Sequence, residues 1–230
     1  MFLQIGKGIN ELHKAGIAHR DIKPENLMIT KDLKIKIIDL GYGLTLSGRK
    51  QDGYTNTRLG TPMYMAPEIF DKTIPYQGQD ADIFAFGVSL FVAKIIAYPW
   101  KKADPIQDDG YALLAADYGE NSQKFWAQYS DRQLSTEFKN LIESLLAAVP
   151  SSRPTMADVL GHPWMRGEVM SEADYEANCK KYMDAVLKEK DEVSDQLGID
   201  YAVEKKTRRC TVDLKSVKEV LVQNNYFRPL

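Results

Sequence analysis

Phe2, Ile5, Ile9 and Leu12 recur at helical spacing, so the chain opens inside an amphipathic helix with one apolar face. No capping residue precedes that stripe, and the expectation is that sequence upstream of Met1 is missing. Two β-like runs follow, 26–30 and 33–39, separated by Lys31-Asp32. In the second, Leu33, Ile35 and Ile37 alternate with Lys34 and Lys36, the two-residue period of a strand. A two-residue turn between the runs predicts an antiparallel hairpin that pairs Thr30 with Leu33 and Asn26 with Ile37. Asn26 and Asp39 then share the open end of the ribbon. From Asp39 to Glu68 the chain is polar and rich in Gly, Thr and Ser, a length of loop that is usually functional. Helical patterns resume near Gln79. The apolar stretch Ile83 to Trp100 is broken by Ser89 and Lys94 and ended by Pro99, which predicts a buried central helix rather than a membrane span. Beyond Gly167 the chain turns strongly charged. There Tyr175, Cys179, Tyr182 and Val186 form a helical stripe with Ser171 and Asp174 as its cap, a stripe that could dock on the lobe or on a partner helix but is expected to belong to a solvated helix. A basic cluster (Lys205, Lys206, Arg208, Arg209) and a short amphipathic stripe (Leu214, Val217, Leu221) come last.

Composition narrows the partners. The 230 residues carry 30 Lys plus Arg against 32 Asp plus Glu, a net charge of -2, so neither nucleic acid nor an anionic membrane is expected as a partner. Two cysteines and three histidines stand at no metal-ligand or disulfide-framework spacing, and a cytoplasmic compartment, or alternatively the nucleus, is the expectation. The N-terminus has neither the apolar core nor the small-residue cleavage site of a secretory signal.

The chemistry concentrates in three motifs. His19-Arg20-Asp21-Ile22-Lys23-Pro24-Glu25-Asn26 resembles the catalytic loop of protein kinases, H-R-D-L-x-x-x-N. Asp39-Leu40-Gly41 is close to the metal-binding D-F-G, and Ala66-Pro67-Glu68 matches the closing A-P-E. Each alone is a weak signal; the three in order, at family spacing and around the predicted hairpin, are a strong one. The resemblance covers residues 1–166 and implies an α+β fold: the large C-terminal lobe of a serine/threonine protein kinase, mainly helical with a small β-hairpin at the active site. Residues 167–230 are read as a charged, partly helical extension. GTPMYMAPEIF and RPTMADVLGHPW resemble the calcium/calmodulin- and AMP-regulated branch.

What the resemblance implies is specific to residues. Asp21 orients the substrate hydroxyl and accepts its proton; Lys23 neutralises the transferring phosphate; Thr61 bonds the catalytic Asp. Asn26 and Asp39 hold Mg2+, and Met28 lies on the floor of the ATP site. Protein substrates bearing Ser or Thr follow. Arg20 is the phosphate-pairing residue of kinases switched by an upstream activating kinase, with Thr57 as the phosphorylated position and Thr55 as its competitor. Glu68 and Arg153 are expected to form a structural ion pair, Asp82 to bond the catalytic-loop backbone, and His19 to be a packed spine residue.

Two departures stand out. Leu40 replaces the usual Phe, and the sequence contains neither a G-x-G-x-x-G loop nor a V-A-I-K lysine. The expectation is that the ATP-clamping lobe is absent, and that the chain alone is inactive. Two rival readings remain: a catalytically silent scaffold or regulator of other kinases, which the missing lobe favours, and a magnesium-dependent hydrolase, in which Lys23 and the long loop have no role.

Overall fold

The structure, a computed structural model, describes residues 1–30, 32–45, 53–71, 73–115, 120–167, 170–171 and 173–181. Tyr182, Val186, the basic cluster and the 214–221 stripe lie outside the described residues.

The opening stripe becomes helix α1 (Phe2–Lys14), which buries Ile5 and Ile9 against α6 (Met156–Gly161). Burying two such side chains contributes about 1.5–3 kcal/mol each. Gln4 on the same helix accepts the Ile35 N–H through Oε1 at 2.8 Å, so the helix start is pinned to a strand. The chain turns at Gly16 (φ 69) into β1 (Ile17–Ala18), then runs through the loop 19–26. A hairpin follows, β2 (Leu27–Ile29) with β3 (Ile35–Ile37). Two further ribbons are short: β4 (Leu44–Thr45) pairs with β1, and β5 (Tyr54–Thr55) with β6 (Tyr76–Gln77), all antiparallel.

The hairpin register differs by one residue from the predicted pairing. Leu27 faces Ile37, Met28 faces Lys36 and Ile29 faces Ile35. A two-residue loop at Lys31-Asp32 needs positive φ at both positions, which suits Asn-Gly rather than this pair. The chain instead uses a three-residue connection: Leu33 leaves the strand face and takes φ 59, and Thr30 Oγ1 bonds the Lys34 N–H and C=O at 3.0 Å each. The shared open end survives the shift, because Ile38 N–H donates to Asn26 C=O at 2.9 Å.

At the centre is α2 (Gly78–Ile95), buried on nearly every side from Gly78 to Phe91. It stops at Ile95, short of the Pro99 expected to end it. Ile96 takes φ 60, and the turn before Pro99 sends Trp100 back into the core. Around it stand α3 (Asp109–Ala115), α4 (Glu120–Ala127), α5 (Thr136–Leu145) and the short α7 (Pro163–Arg166). Gly87 lets α5 cross close by: a Cβ there would lie 2.8 Å from Leu145 Cβ. Phe84, Trp100 and Tyr111 stack on one side of α2; Phe91, Phe125 and Trp126 stack further along it. Among the described residues no helix is long and apolar enough to cross a membrane.

The described part of the tail helix is largely exposed, with two positions of its stripe docked on the lobe. Residues 173–181 are helical, with the Asp174 N–H donating to Ser171 Oγ at 3.1 Å as its cap. Cys179 is buried and Tyr175 half-buried, and the Tyr175 hydroxyl donates to Leu33 C=O at 3.0 Å. This tail helix docks on the hairpin tip because Leu33, having left the ladder, presents a carbonyl with no strand partner.

Burial, helped by the neighbouring Cys179 thiol, pushes the Tyr175 phenol up to about 12 from its ordinary 10. A raised folded-state pKa means stability is complete below pH 10 and falls as pH rises from 10 through 12. Tyr175→Phe is expected to cost about 0.5–1.5 kcal/mol in urea denaturation at pH 8. Across pH 10–12 the variant is expected to lose less stability than the parent.

Candidate active site

The loop 19–26 is held in an unfavourable backbone shape by a buried carboxylate. Arg20 has φ 65, a conformation non-glycine residues seldom adopt. Asp82, fully buried on α2, accepts the His19 N–H through Oδ2 at 2.7 Å and the Arg20 N–H through Oδ1 at 2.6 Å. His13 at the end of α1 approaches the same Oδ2 with Nε2 at 3.0 Å. Such charge-assisted bonds are roughly twice as strong as neutral ones, which is enough to hold one strained residue. A third element closes on the loop at Gly60, whose φ of 124 and position 2.8 Å from Arg20 C=O, measured from where a Cβ would stand, admit only glycine.

His19 is buried and has both ring nitrogens committed. The Asp21 N–H donates to Nδ1 at 3.3 Å, so Nε2 carries the proton and donates to Ile38 C=O at 2.9 Å. This ring therefore ties the loop to the end of β3 and has no nitrogen left to act as a base.

Four polar side chains meet at the mouth of the loop. The Thr61 hydroxyl donates to Asp21 Oδ1 at 2.9 Å. Lys23 Nζ stands 2.9 Å from Asp21 Oδ2 and donates to Thr61 Oγ1 at 2.5 Å. Asn26 Nδ2 donates to Asp21 C=O at 2.8 Å and to Asp21 Oδ2 at 3.1 Å. Asp21 is buried, 5% exposed, and these bonds fix the direction of its carboxylate. The Asn26 amide nitrogen is committed to Asp21, and its Oδ1 is the side-chain atom chemically able to ligate a cation.

Asp39 lies one residue past the Ile38–Asn26 bond in the left-handed region, φ 64 and ψ 68, and accepts the Gly41 N–H through Oδ1 at 3.2 Å. Leu40 packs against Ile17, as Leu12 does, and stands where the resemblance implies a Phe. Met28 points outward from β2, 54% exposed. Among the described residues no three His, Cys, Asp or Glu side chains cluster as a metal cage. Magnesium does not need one: it binds through one or two carboxylates together with phosphate and water oxygens, and the hard oxygens of Asn26 and Asp39 suit it.

Arg20, Thr55 and Thr57 meet through a residue that the motifs do not single out. Arg20 Nε donates to Tyr42 C=O at 2.6 Å, and its buried NH1 has no hydrogen-bond partner. Thr57 is exposed; its N–H donates to Thr55 Oγ1 at 3.1 Å, and its carbonyl accepts from the Tyr76 hydroxyl at 2.7 Å. Burial pushes the Tyr76 phenol up while the neighbouring Arg20 guanidinium pulls the other way, so Tyr76 stands between the two. Only the β5–β6 ladder, which pairs Thr55 with Tyr76, brings it there, and two-residue strands leave no periodic signal.

Behind the site, Arg153 grips Glu68 with two bonds of 2.6 and 2.7 Å and also donates to Ala147 C=O and Asp80 C=O. Its side chain is fully buried and lies over the Phe84 ring, 4.9 Å from the centroid. The segment 61–69 is thereby tied to α2 and to the turn before α6.

Comparison with known proteins agrees in one direction. The protein kinase domain family model matches residues 1–165. Sperm motility kinase 2B of Mus musculus is 36% identical over 166 residues, 72% of this chain and 31% of that protein. Calcium/calmodulin-dependent protein kinase type 1 of Caenorhabditis elegans is 35% identical over 167 residues, 71% of this chain and 44% of that protein. CBL-interacting protein kinase 26 of Oryza sativa subsp. japonica is 30% identical over 212 residues, 92% of this chain and 38% of that protein. The chain thus spans about a third of the length of the curated relatives it matches first.

Asp82→Asn replaces one of the two charged acceptors with an N–H2 that faces a donor. It is expected to cost about 2–3 kcal/mol in urea denaturation. Hydrogen exchange at the His19 and Arg20 amides is expected to quicken more than at α4, which shares no bond with Asp82.

Proposed function

This chain belongs to the protein kinase family and resembles its serine/threonine members, and from that premise we propose that it carries the phosphoryl-transfer half of such an enzyme, acting on Ser or Thr hydroxyls of protein substrates. The observation that supports this reading most is the contact of Asp21 with Thr61, Lys23 and Asn26 at one mouth. Phosphoryl transfer asks a protein for positioning and charge neutralisation rather than for covalent chemistry.

In this reading Asp21 receives the proton of the incoming hydroxyl. Thr61 and Asn26 fix the direction of its two oxygens. Lys23, already beside that carboxylate, offsets negative charge on the transferring group. Asn26 Oδ1 and the Asp39 carboxylate are the oxygens that would hold Mg2+, and Met28 is the apolar surface for the adenine of ATP. Bound magnesium ATP supplies the transferable phosphate and masks its charge. The neutral tautomer locked on His19 keeps a second base out of the site.

Thr57 would be the site of control. A phosphate there adds about −1.5 to −2 charge, and the unpartnered NH1 of Arg20 beside Tyr76 is a donor of the right kind. An upstream kinase of cytosolic or nuclear location would place it. The lysine of V-A-I-K and the Gly-rich loop have no counterpart in this sequence, so an ATP-clamping lobe from elsewhere is part of the proposal.

The purified 230 residues are expected to give no magnesium-dependent transfer from ATP to a protein substrate. Joined behind the small lobe of a serine/threonine kinase relative, they are expected to become active, and Asp21→Asn is expected to remove at least about 10²–10⁴-fold of that activity. A chimera that folds, binds magnesium ATP and stays silent would favour the scaffold reading instead.

A further inference from the structure

A recess of about 240 Å³ lies where the end of α1 meets the starts of α2 and α6. That volume falls below the roughly 300–1,000 Å³ of whole-ligand pockets, so it has room for one long side chain rather than for a cofactor. Part of its lining is apolar: Ile83, Met156 and Ala157, the first two of them buried in the core. The rest includes acceptors with nothing to accept. Asp80 is half-buried in the first turn of α2, and its carboxylate makes no hydrogen bond or ion pair with a described residue. Burial pushes that carboxyl above its ordinary range, while the Arg153 guanidinium pulls the other way. Gln79 donates its amide N–H to His13 C=O at 2.9 Å, which leaves Oε1 uncommitted. The Asn10 side chain, also in the lining, bonds no described residue.

The cations nearby are already engaged. Arg153 is clamped on Glu68, and Lys14 Nζ pairs with Glu11 at 3.0 Å along α1. His13 gives Nε2 to Asp82 at 3.0 Å. Among the charged groups that line the recess or act on it, Asp80 is therefore the one left without a partner. We propose that the recess takes the guanidinium of an arginine on a partner protein, with Asp80 as counter-ion and the Asn10 and Gln79 side-chain oxygens as further acceptors. Arginine suits this wall better than lysine does. Its planar fork holds five donors in fixed directions, so it meets a carboxylate and amide oxygens together, where an ammonium acts as a point charge. Its methylene stem covers Ile83, Met156 and Ala157 while the charged head stays with Asp80. A guanidinium–carboxylate pair is among the stronger charge-assisted contacts, and partial burial of Asp80 shields it from salt. His13 belongs both to the recess and to the unit built on Asp82, so the partner docks directly behind the bonds that hold the loop 19–26. The proposal goes beyond the kinase reading and does not depend on it.

Titration of the 230-residue chain with a capped arginine, Nα-acetyl-arginine amide, followed through amide chemical shifts, tests it. Residues 10–14, 79–83 and 155–157 are expected to shift saturably. The capped citrulline analogue keeps the shape and loses the charge; it and capped lysine are expected to bind at least about tenfold more weakly. Asp80→Asn is expected to cost a similar factor and Asn10→Ala a smaller one. The Asn10 side chain ties nothing in the fold, so its variant carries the test if Asp80→Asn unfolds the lobe. Lys14→Ala removes a competing cation and is expected to tighten binding. Absence of saturable shifts, equal binding of arginine and citrulline, or full affinity in both Asp80→Asn and Asn10→Ala would overturn the proposal. So would tighter binding of free arginine than of the capped form, which assigns the recess to a free guanidino compound.

Discussion

Everything at the mouth of this lobe hangs from one buried carboxylate. Asp82 sits on a helix that is itself wrapped in apolar side chains, so its charge has no access to water and must be satisfied by protein donors. The donors supplied are backbone N–H groups of a strained loop. The arrangement works in both directions. The carboxylate holds Arg20 in a left-handed shape, and the loop in turn makes burial of the charge tolerable. Releasing either partner leaves the other unsatisfied in a low-dielectric interior, which is why the two are better seen as a single unit.

From that unit the geometry spreads by short, directed bonds rather than by packing. The His19 ring reaches Ile38 at the end of the ribbon, and Ile38 reaches Asn26, which reaches Asp21. Each link joins residues from different stretches of chain, so the carboxylate of Asp21 is aimed by three elements at once. Glu68 and Arg153 do the same for the segment that brings Thr61. A buried ion pair of this kind contributes little net stability, but breaking one side of it is costly. Its role is to make one arrangement of the segment much cheaper than any other.

How much of this was legible in the residues depends on the kind of information each element carries. A period-3.6 stripe announced α1 and a near-continuous apolar run announced α2, because burial of one face marks every third or fourth position and burial of all faces marks nearly every one. The three motifs placed Asp21, Lys23, Asn26 and Asp39 because their spacing is set by a loop and a ribbon of fixed length. The hairpin register escaped by one residue. Alternation along 33–37 does not reveal that Leu33 drops out of the strand to make a turn the local residues can adopt. Tyr76 escaped because its neighbours in space, Arg20 and Thr57, come from distant segments joined by two-residue ladders. The stripe on the tail helix offered docking on the lobe only as an alternative, because the Leu33 carbonyl that receives Tyr175 is presented by a turn the alternation does not reveal.

That contact has a consequence for the order in which the lobe comes into being. Leu33 and Tyr175 are 142 positions apart. On a ribosome adding about 5–20 residues per second, the hairpin waits on the order of ten seconds or more for its clasp to emerge. During that interval the tip lacks the Tyr175 bond and is held by contacts made within the first 37 residues, those of Thr30 and Gln4 and the β2–β3 ladder among them. Whatever attends the chain during synthesis meets the hairpin tip uncovered before the finished molecule closes over it.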